Sequence, residues 1–252
     1  WHKQLFEEAK KLGLICFSSP FDRTAVDFLE ELNNPIYKVA SFEITDIPLI
    51  SYIASKGKPV IISTGIASIN DIDLAIKTCR DVGNHQIFLL KCVSSYPSPI
   101  EESNLVMVRD LAERFKVKTG LSDHTLGIIA PVVAVSQGAK IIEKHFILKK
   151  SLGGPDSTFS LDEKEFKKMV EAIRHSELAL GQVDYSLSKK QKLSRNFARS
   201  LYISKDVKKN EIVTKDNVKS VRPGYGLHPK HYNEILGKKF VKDLGKGERM
   251  NL

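Results

Sequence analysis

An incomplete (β/α)₈ barrel followed by a small β-rich domain is the architecture this sequence predicts, and three observations carry it. From residue 4 to residue 146, apolar strand-length runs alternate with amphipathic helical stretches, the pattern of parallel strands covered on both faces. Each run closes on small or polar residues at its C-terminal end. A barrel gathers all such ends at one mouth, whereas an open sheet uses only those at its switch point. After Lys149 the rhythm changes to basic segments and short alternating runs. Six strand units are counted where a barrel needs eight, so the first two β/α units are expected to be absent.

The elements follow in order. Gln4–Leu12 reads as an amphipathic helix and Leu14–Ser18 as a strand ending in Ser18-Ser19-Pro20. Arg23–Leu32 is helical, with Asp22 a natural N-cap because its carboxylate can accept an orphan amide. Tyr37–Ser41 is a strand, Ile47–Lys56 a helix closed by Gly57, and Pro59–Ser63 a continuous apolar strand. Ile69–Val82 is helical, Gln86–Cys92 a strand and Glu101–Phe115 a helix. Val117–Leu121 is a β-branched strand, Leu126–Ser136 is apolar at helical spacing and stopped by Gly138, and Ala139–Phe146 is a further strand. A loop at Ser151–Asp156 leads to a long helix over Leu161–Leu180, opened by the S-L-D-E capping signal. The barrel is assigned to residues 1–182, a polar and basic linker to 183–196, and the small domain to 197–252, with strands at 200–204, 211–214 and 218–221. So small a domain has little core of its own and is expected to dock on another surface.

Hydrophobic residues make up 42% of the 252, and no apolar run has the length of a membrane span. The three cysteines show no paired spacing, which fits reduced thiols and a cytoplasmic protein. The net charge of +9 concentrates after Lys149 without interleaved aromatic residues. That excludes a recognised nucleic-acid motif and leaves a solvated basic face or an anionic substrate.

His124 and His145 fall just past two neighbouring strands, 21 residues apart in sequence. Parallel strands bring their ends to one edge, so the two imidazoles converge on a candidate divalent-metal site. Sharing one ion requires rings within about 7 Å of each other, given nitrogen–metal bonds near 2 Å. Taken singly, His124 is equally a helix cap and His145 a histidine bonded to backbone. The other strand ends offer Ser18, Ser19, Lys38, Ser41, Glu43, Ser63, Thr64, Lys91, Ser94 and Ser122. Hydroxyls and lysines among small residues form a cradle for a phosphate or carboxylate. Lys38 lies mid-strand, where an ammonium is costly unless it meets an anion. Glu43 is open between general base, metal ligand and helix-terminal charge. A Schiff-base aldolase using Lys38 or Lys91 is the rival enzyme reading.

The segments Y-K-V-A-S-F-E, I-I-S-T-G, S-S-Y-P, G-L-S-D-H-T, I-E-K-H-F, G-G-P-D-S and R-P-G-Y-G-L occur in one order across the chain. With them the chain resembles the sialic acid synthase family, a phosphoenolpyruvate-condensing (β/α)₈ (TIM) barrel followed by an antifreeze-like (SAF) domain. Within that family its wording is nearest to the pseudaminic acid synthases. The resemblance implies that His124 and His145 hold Mn²⁺ or Mg²⁺, which polarises the aldehyde of an open-chain N-acetylated amino sugar. It implies that Lys38, Ser41, Ser63 and Ser122, with Ser19 nearby, cradle phosphoenolpyruvate beside Glu43. Asp156 would bind sugar hydroxyls, Tyr96 would lie close to both ligands, and Ser94 stands where neuraminate synthases have asparagine. Phe197 and Arg222 would belong to a domain that reaches across a homodimer to the partner's substrate. The implied product is pseudaminic acid from 2,4-diacetamido-2,4,6-trideoxy-L-altrose, with neuraminate or legionaminate as alternatives. The absent units would carry a catalytic glutamate and a second phosphate-site lysine, so the chain alone is expected to have negligible synthase activity. An inactive sugar-binding remnant is the reading outside enzymes.

Overall fold

Five short apolar strands form a parallel sheet whose order follows the chain, β1-β2-β3-β4-β5. The computed structural model describes residues 1–251. The strands are β1 (Tyr37–Val39), β2 (Val60–Ser63), β3 (Ile87–Cys92), β4 (Lys118–Asp123) and β5 (Ile141–Lys144). Helices α3 (Ile47–Ala54), α4 (Ile69–Asp81), α5 (Met107–Phe115) and α6 (Ile129–Ser136) make the four crossovers. Two helices precede the sheet, α1 (His2–Lys11) and α2 (Arg23–Glu31), and α7 (Glu163–Leu180) follows it. A parallel sheet laid down in sequence order is half of a β/α barrel.

Alternation along each strand divides the sheet into two faces. Tyr37, Val39, Val60, Ile62 and Leu89 join Ile50 and Ile53 of α3, Ile72 and Ile76 of α4 and Leu111 of α5 in one buried cluster. This outer face is the core, and each fully buried aliphatic side chain contributes about 1.5–3 kcal/mol. The residues between them, Lys38, Ile61, Ser63, Leu90 and Cys92, therefore point to the inner face.

Helix starts follow local chemistry. The Asp22 carboxylate accepts the Ala25 amide, and Asp162 and Glu165 form a reciprocal capping box at the start of α7. Several expected boundaries shift for visible reasons. The helix expected over 101–115 splits into a 3₁₀ turn at Ile100–Glu102 and α5, because Asn104 between them takes a left-handed backbone with φ 44°. Gly127, φ 76°, likewise delays α6 to Ile129. The strand expected at 14–18 is reduced to a single parallel bridge, Ser18 to Tyr37. Leu14 and Ile15 are 64% and 70% exposed, so this extended segment lies at the sheet edge. The opposite edge ends similarly, in one bridge from Phe146 to Leu161.

The chain divides into two units, Trp1–Gly181 and Gln182–Leu252. In the second, a short helix α8 (Lys189–Ser194) occupies the stretch expected as a linker. Strands β6 (Ser200–Ile203) and β7 (Val218–Val221) pair antiparallel. Isolated bridges such as Val207–Leu244 and Ile212–Lys239 extend that pairing, and the segment expected as a strand at 211–214 survives only as the second of them. A one-turn helix, α9 (Tyr232–Ile235), completes the unit. Leu201, Ile203, Val213, Val218, Ile235 and Phe240 make its separate core. The second unit carries 17 Lys and Arg against 7 Asp and Glu, a net +10, whereas the first carries 22 against 23, a net −1. Among the described residues no helix is long and apolar enough to cross a membrane.

Candidate active site

The inner face gathers polar residues at the C-terminal ends of all five strands. Lys38 of β1 is 6% exposed; its Nζ donates to Ser63 Oγ at 2.8 Å and to the Val39 carbonyl at 3.0 Å. Burial pushes its ammonium below the ordinary lysine range, and the nearby Glu143 carboxylate opposes that. Ser41, just past β1, accepts the Ile66 amide at 3.0 Å and the Ser94 hydroxyl at 2.9 Å. A Cβ on Gly65 would lie 2.2 Å from Ser94 Oγ and 2.7 Å from Ser41 Oγ, so only glycine lets the loop after β2 come so close to these hydroxyls. Lys38, Ser41, Ser63, Ser94 and the Ile66 amide thus converge on one small-residue hollow. Glu43 follows in a 3₁₀ turn, and its Oε2 is buried without a hydrogen-bond partner among the described residues, a group that calls for one.

At the other end of the sheet, β4 and β5 pair so that Asp123 faces Lys144. The next residues, His124 and His145, stand side by side with ring centroids 5.2 Å apart. His124 is 6% exposed, and its Nδ1 lies 2.9 Å from the Val93 carbonyl. A carbonyl only accepts, so Nδ1 carries the hydrogen and Nε2 keeps its lone pair. Burial is the main reason the His124 imidazolium falls below the ordinary range; the Val93 carbonyl resists the shift and the neighbouring His145 adds to it. His145 Nδ1 lies 3.4 Å from Asp156 Oδ2. One nitrogen turned to a carbonyl or carboxylate, with the other left free, is the arrangement of metal-binding histidines. The donor chemistry therefore fits a divalent ion bound by two imidazoles. No set of three or more metal-ligating side chains gathers among the described residues. Tyr96 packs against His124 at a tilt, with centroids 4.3 Å apart, and Phe159 meets His145 edge-on at 4.9 Å.

Glu143 joins the two ends. It lies two residues before His145 and so shares its face. Its Oε1 accepts the Ser122 hydroxyl at 2.6 Å and sits 3.7 Å from Lys38 Nζ. Sequence reasoning passed over Glu143, Phe159 and Cys92, whose Sγ is 3.9 Å from His124 Nδ1. Counting back two from His145 finds Glu143, as counting back two from His124 finds Ser122. Lys91, offered from sequence as a mouth residue, instead shares the outer face, because it lies between inward-facing Leu90 and Cys92; its Nζ donates to the Cys92 carbonyl. Ser19 is half-buried next to the edge bridge. Asp156 is exposed and meets only His145 of the pair. Phe197 and Arg222 belong to the second unit, both exposed. Their loops are joined there by the Gly224 amide donating to the Asn196 carbonyl at 3.0 Å.

Residues 1–185 match the NeuB family model and residues 198–248 the SAF domain model. The chain is 54% identical to a pseudaminic acid synthase of Helicobacter pylori over 97% of its own length and 72% of that protein. It is 49% identical to a pseudaminic acid synthase of Campylobacter jejuni, over 99% of itself and 73% of the relative. The crystal structure of spore coat polysaccharide biosynthesis protein SpsE from Bacillus subtilis superposes with a TM-score of 0.69 at 34% identity, covering 98% of this chain and 75% of that one. With both family models matched and relatives of this closeness, the chain belongs to the sialic acid synthase (NeuB) family and carries a SAF domain after its barrel unit.

Proposed function

We propose that the barrel unit supplies the phosphoenolpyruvate site and the histidine pair of an enzyme that condenses phosphoenolpyruvate with an open-chain N-acetylated amino sugar to form a nonulosonic acid and phosphate, and that the chain alone binds phosphoenolpyruvate without appreciable turnover. The observation that carries this reading is the junction of a buried lysine–hydroxyl hollow with a pair of half-free imidazoles, bridged by one carboxylate. The methylene carbon of phosphoenolpyruvate would form the new C–C bond to the aldehyde carbon. Water would then add to the cationic C2, and phosphate would leave with cleavage of its C–O bond. Lys38, Ser41, Ser63 and the Ile66 amide are donors for an anion whose charge redistributes along this path, and fixed donors of that kind stabilise it without reorganising. Glu143 Oε1 is the carboxylate oxygen nearest Lys38 and is suited to take up a proton from the added water. A divalent ion, Mn²⁺ or Mg²⁺, would be held by His124 and His145 and would supply Lewis-acid polarisation of the aldehyde oxygen.

The pseudaminic acid synthases among the relatives support 2,4-diacetamido-2,4,6-trideoxy-L-altrose as the sugar and pseudaminic acid as the product. A homodimer is part of the same proposal. Calorimetry tests the anion site: with Mn²⁺ present, phosphoenolpyruvate binds the chain, and Lys38→Met weakens that binding by about 30-fold or more, the loss expected when a buried charge partner is removed. Equal heats from parent and variant would remove Lys38 from the site and, with it, this reading.

A further inference from the structure

Directly beneath the histidine pair, on the opposite face of the same two strands, lies an ion pair that the chemistry above does not use. Lys144 Nζ donates to Asp123 Oδ2 at 2.7 Å, and the two side chains are 0% and 1% exposed. Each precedes one of the histidines, and they are cross-strand partners in the β4–β5 register. The remaining bonds all end on one residue. Asp123 Oδ1 accepts the Thr125 amide at 2.9 Å, spanning His124, and Lys144 Nζ also donates to the Thr125 carbonyl. The backbone on both sides of His124 is thus tied to β5, while the His124 carbonyl accepts the Ser98 amide at 3.0 Å.

A buried ion pair is a poor way to gain stability, because desolvation offsets most of its attraction and well-packed apolar residues do as well. What apolar residues cannot do is hold the Asp123 carboxylate and the Thr125 carbonyl, on either side of His124, at fixed distances from one atom of the neighbouring strand. We propose that Asp123 and Lys144 are positioning residues, a clamp that sets the separation of His124 and His145 and keeps the His124 ring in its Nδ1–H form. This rests on the reading of the two histidines as metal ligands. Outer groups that orient a ligating imidazole typically account for about 10- to 100-fold in metal affinity.

The experiment uses Asp123→Asn/Lys144→Met. It keeps the acceptor for the Thr125 amide, removes both charges together and leaves no uncompensated ion. Asp123→Asn alone, which leaves the buried Lys144 ammonium without its counter-ion, is the harsher second variant. Two readouts are taken on the full chain: Mn²⁺ affinity from paramagnetic resonance of free Mn²⁺, and nitrogen NMR of the imidazoles without metal. In the parent, His124 shows a single neutral tautomer with hydrogen on Nδ1. In the double variant that signal averages between tautomers and Mn²⁺ affinity falls by about tenfold or more, with a fall at least as large in Asp123→Asn. A parent that takes up Mn²⁺ and a variant that matches it in both readouts would overturn the clamp and leave the metal reading standing. A parent that takes up no Mn²⁺, while the variant still loses the tautomer, would overturn the metal reading and leave the clamp.

Discussion

The hollow over β1–β3 and the histidine pair over β4–β5 face the same space but keep their polar groups in different states. Over β1–β3 the donors satisfy one another: Lys38 is spent on Ser63 and the Val39 carbonyl, and Ser94 on Ser41. Over β4–β5 the His124 ring has committed one nitrogen to the Val93 carbonyl and left the other free. A self-satisfied hollow holds its shape until an anion offers the ammonium and hydroxyls a charged acceptor in place of neutral ones, and bonds to a charged acceptor are stronger than neutral pairs. A half-committed imidazole is already oriented and needs only a Lewis acid. The two regions are therefore ready for different ligands, and each should fail independently of the other.

The sharpest way to break that independence is His145→Ala. It should reduce Mn²⁺ affinity by more than about 100-fold, beyond the range of outer-group effects, while phosphoenolpyruvate binding measured in the absence of metal stays within about twofold, half the width of a weak contact. A joint loss of both affinities would show one site rather than two.

Gly65→Ala probes the opposite end with a smaller effect. The added methyl would sit 2.2 Å from Ser94 Oγ and 2.7 Å from Ser41 Oγ, so both hydroxyls must turn away. The expected cost is about tenfold in phosphoenolpyruvate affinity, roughly one hydrogen bond to a charged group, with Mn²⁺ affinity unchanged. An unaltered calorimetric titration of phosphoenolpyruvate would mean that these hydroxyls do not meet the ligand.

The mildest effect is on pH dependence. Burial places the Lys38 pKa below the ordinary value of 10.5. The protonated form is the one that holds an anion, so affinity is full below the folded pKa and declines as pH rises through it. Phosphoenolpyruvate affinity should therefore begin to fall below pH 10.5, and Lys38→Arg, which stays charged, should flatten that decline. A profile for the parent as flat as that of the arginine variant would assign the decline elsewhere.

Much of this arrangement is legible in the residues themselves. Lys38 announces itself because an ammonium between Tyr37 and Val39 has no place in a doubly covered strand, and the histidines because each follows a run of strand character. The order of the strands follows from the alternating pattern together with the polar residues that close each strand, because an open doubly wound sheet shares the alternation but not the order. Less legible is anything that depends on partners across the sheet. Nothing in Leu14–Ser18 tells how much of it is paired, since a period of two is the same at an edge and in the middle. Glu143 is hidden for a related reason: a glutamate between Ile142 and Lys144 looks like a surface charge until its register with Ser122 is known. Asp123 and Lys144 each read singly as a polar strand end, and only the ladder reveals them as a buried pair.

That ladder behaves like a reading frame. Ser122, His124, Glu143 and His145 occupy one phase of β4 and β5, and Asp123 and Lys144 the other. Inserting or deleting one residue inside either strand would exchange the phases, turning a charge of the ion pair toward the ligands and an imidazole toward the helices. The same edit in the turn around Gly138, whose residues feed β5 from outside, leaves the phase intact. Natural variation in this enzyme should therefore collect length changes in its turns and none within these four- and six-residue strands.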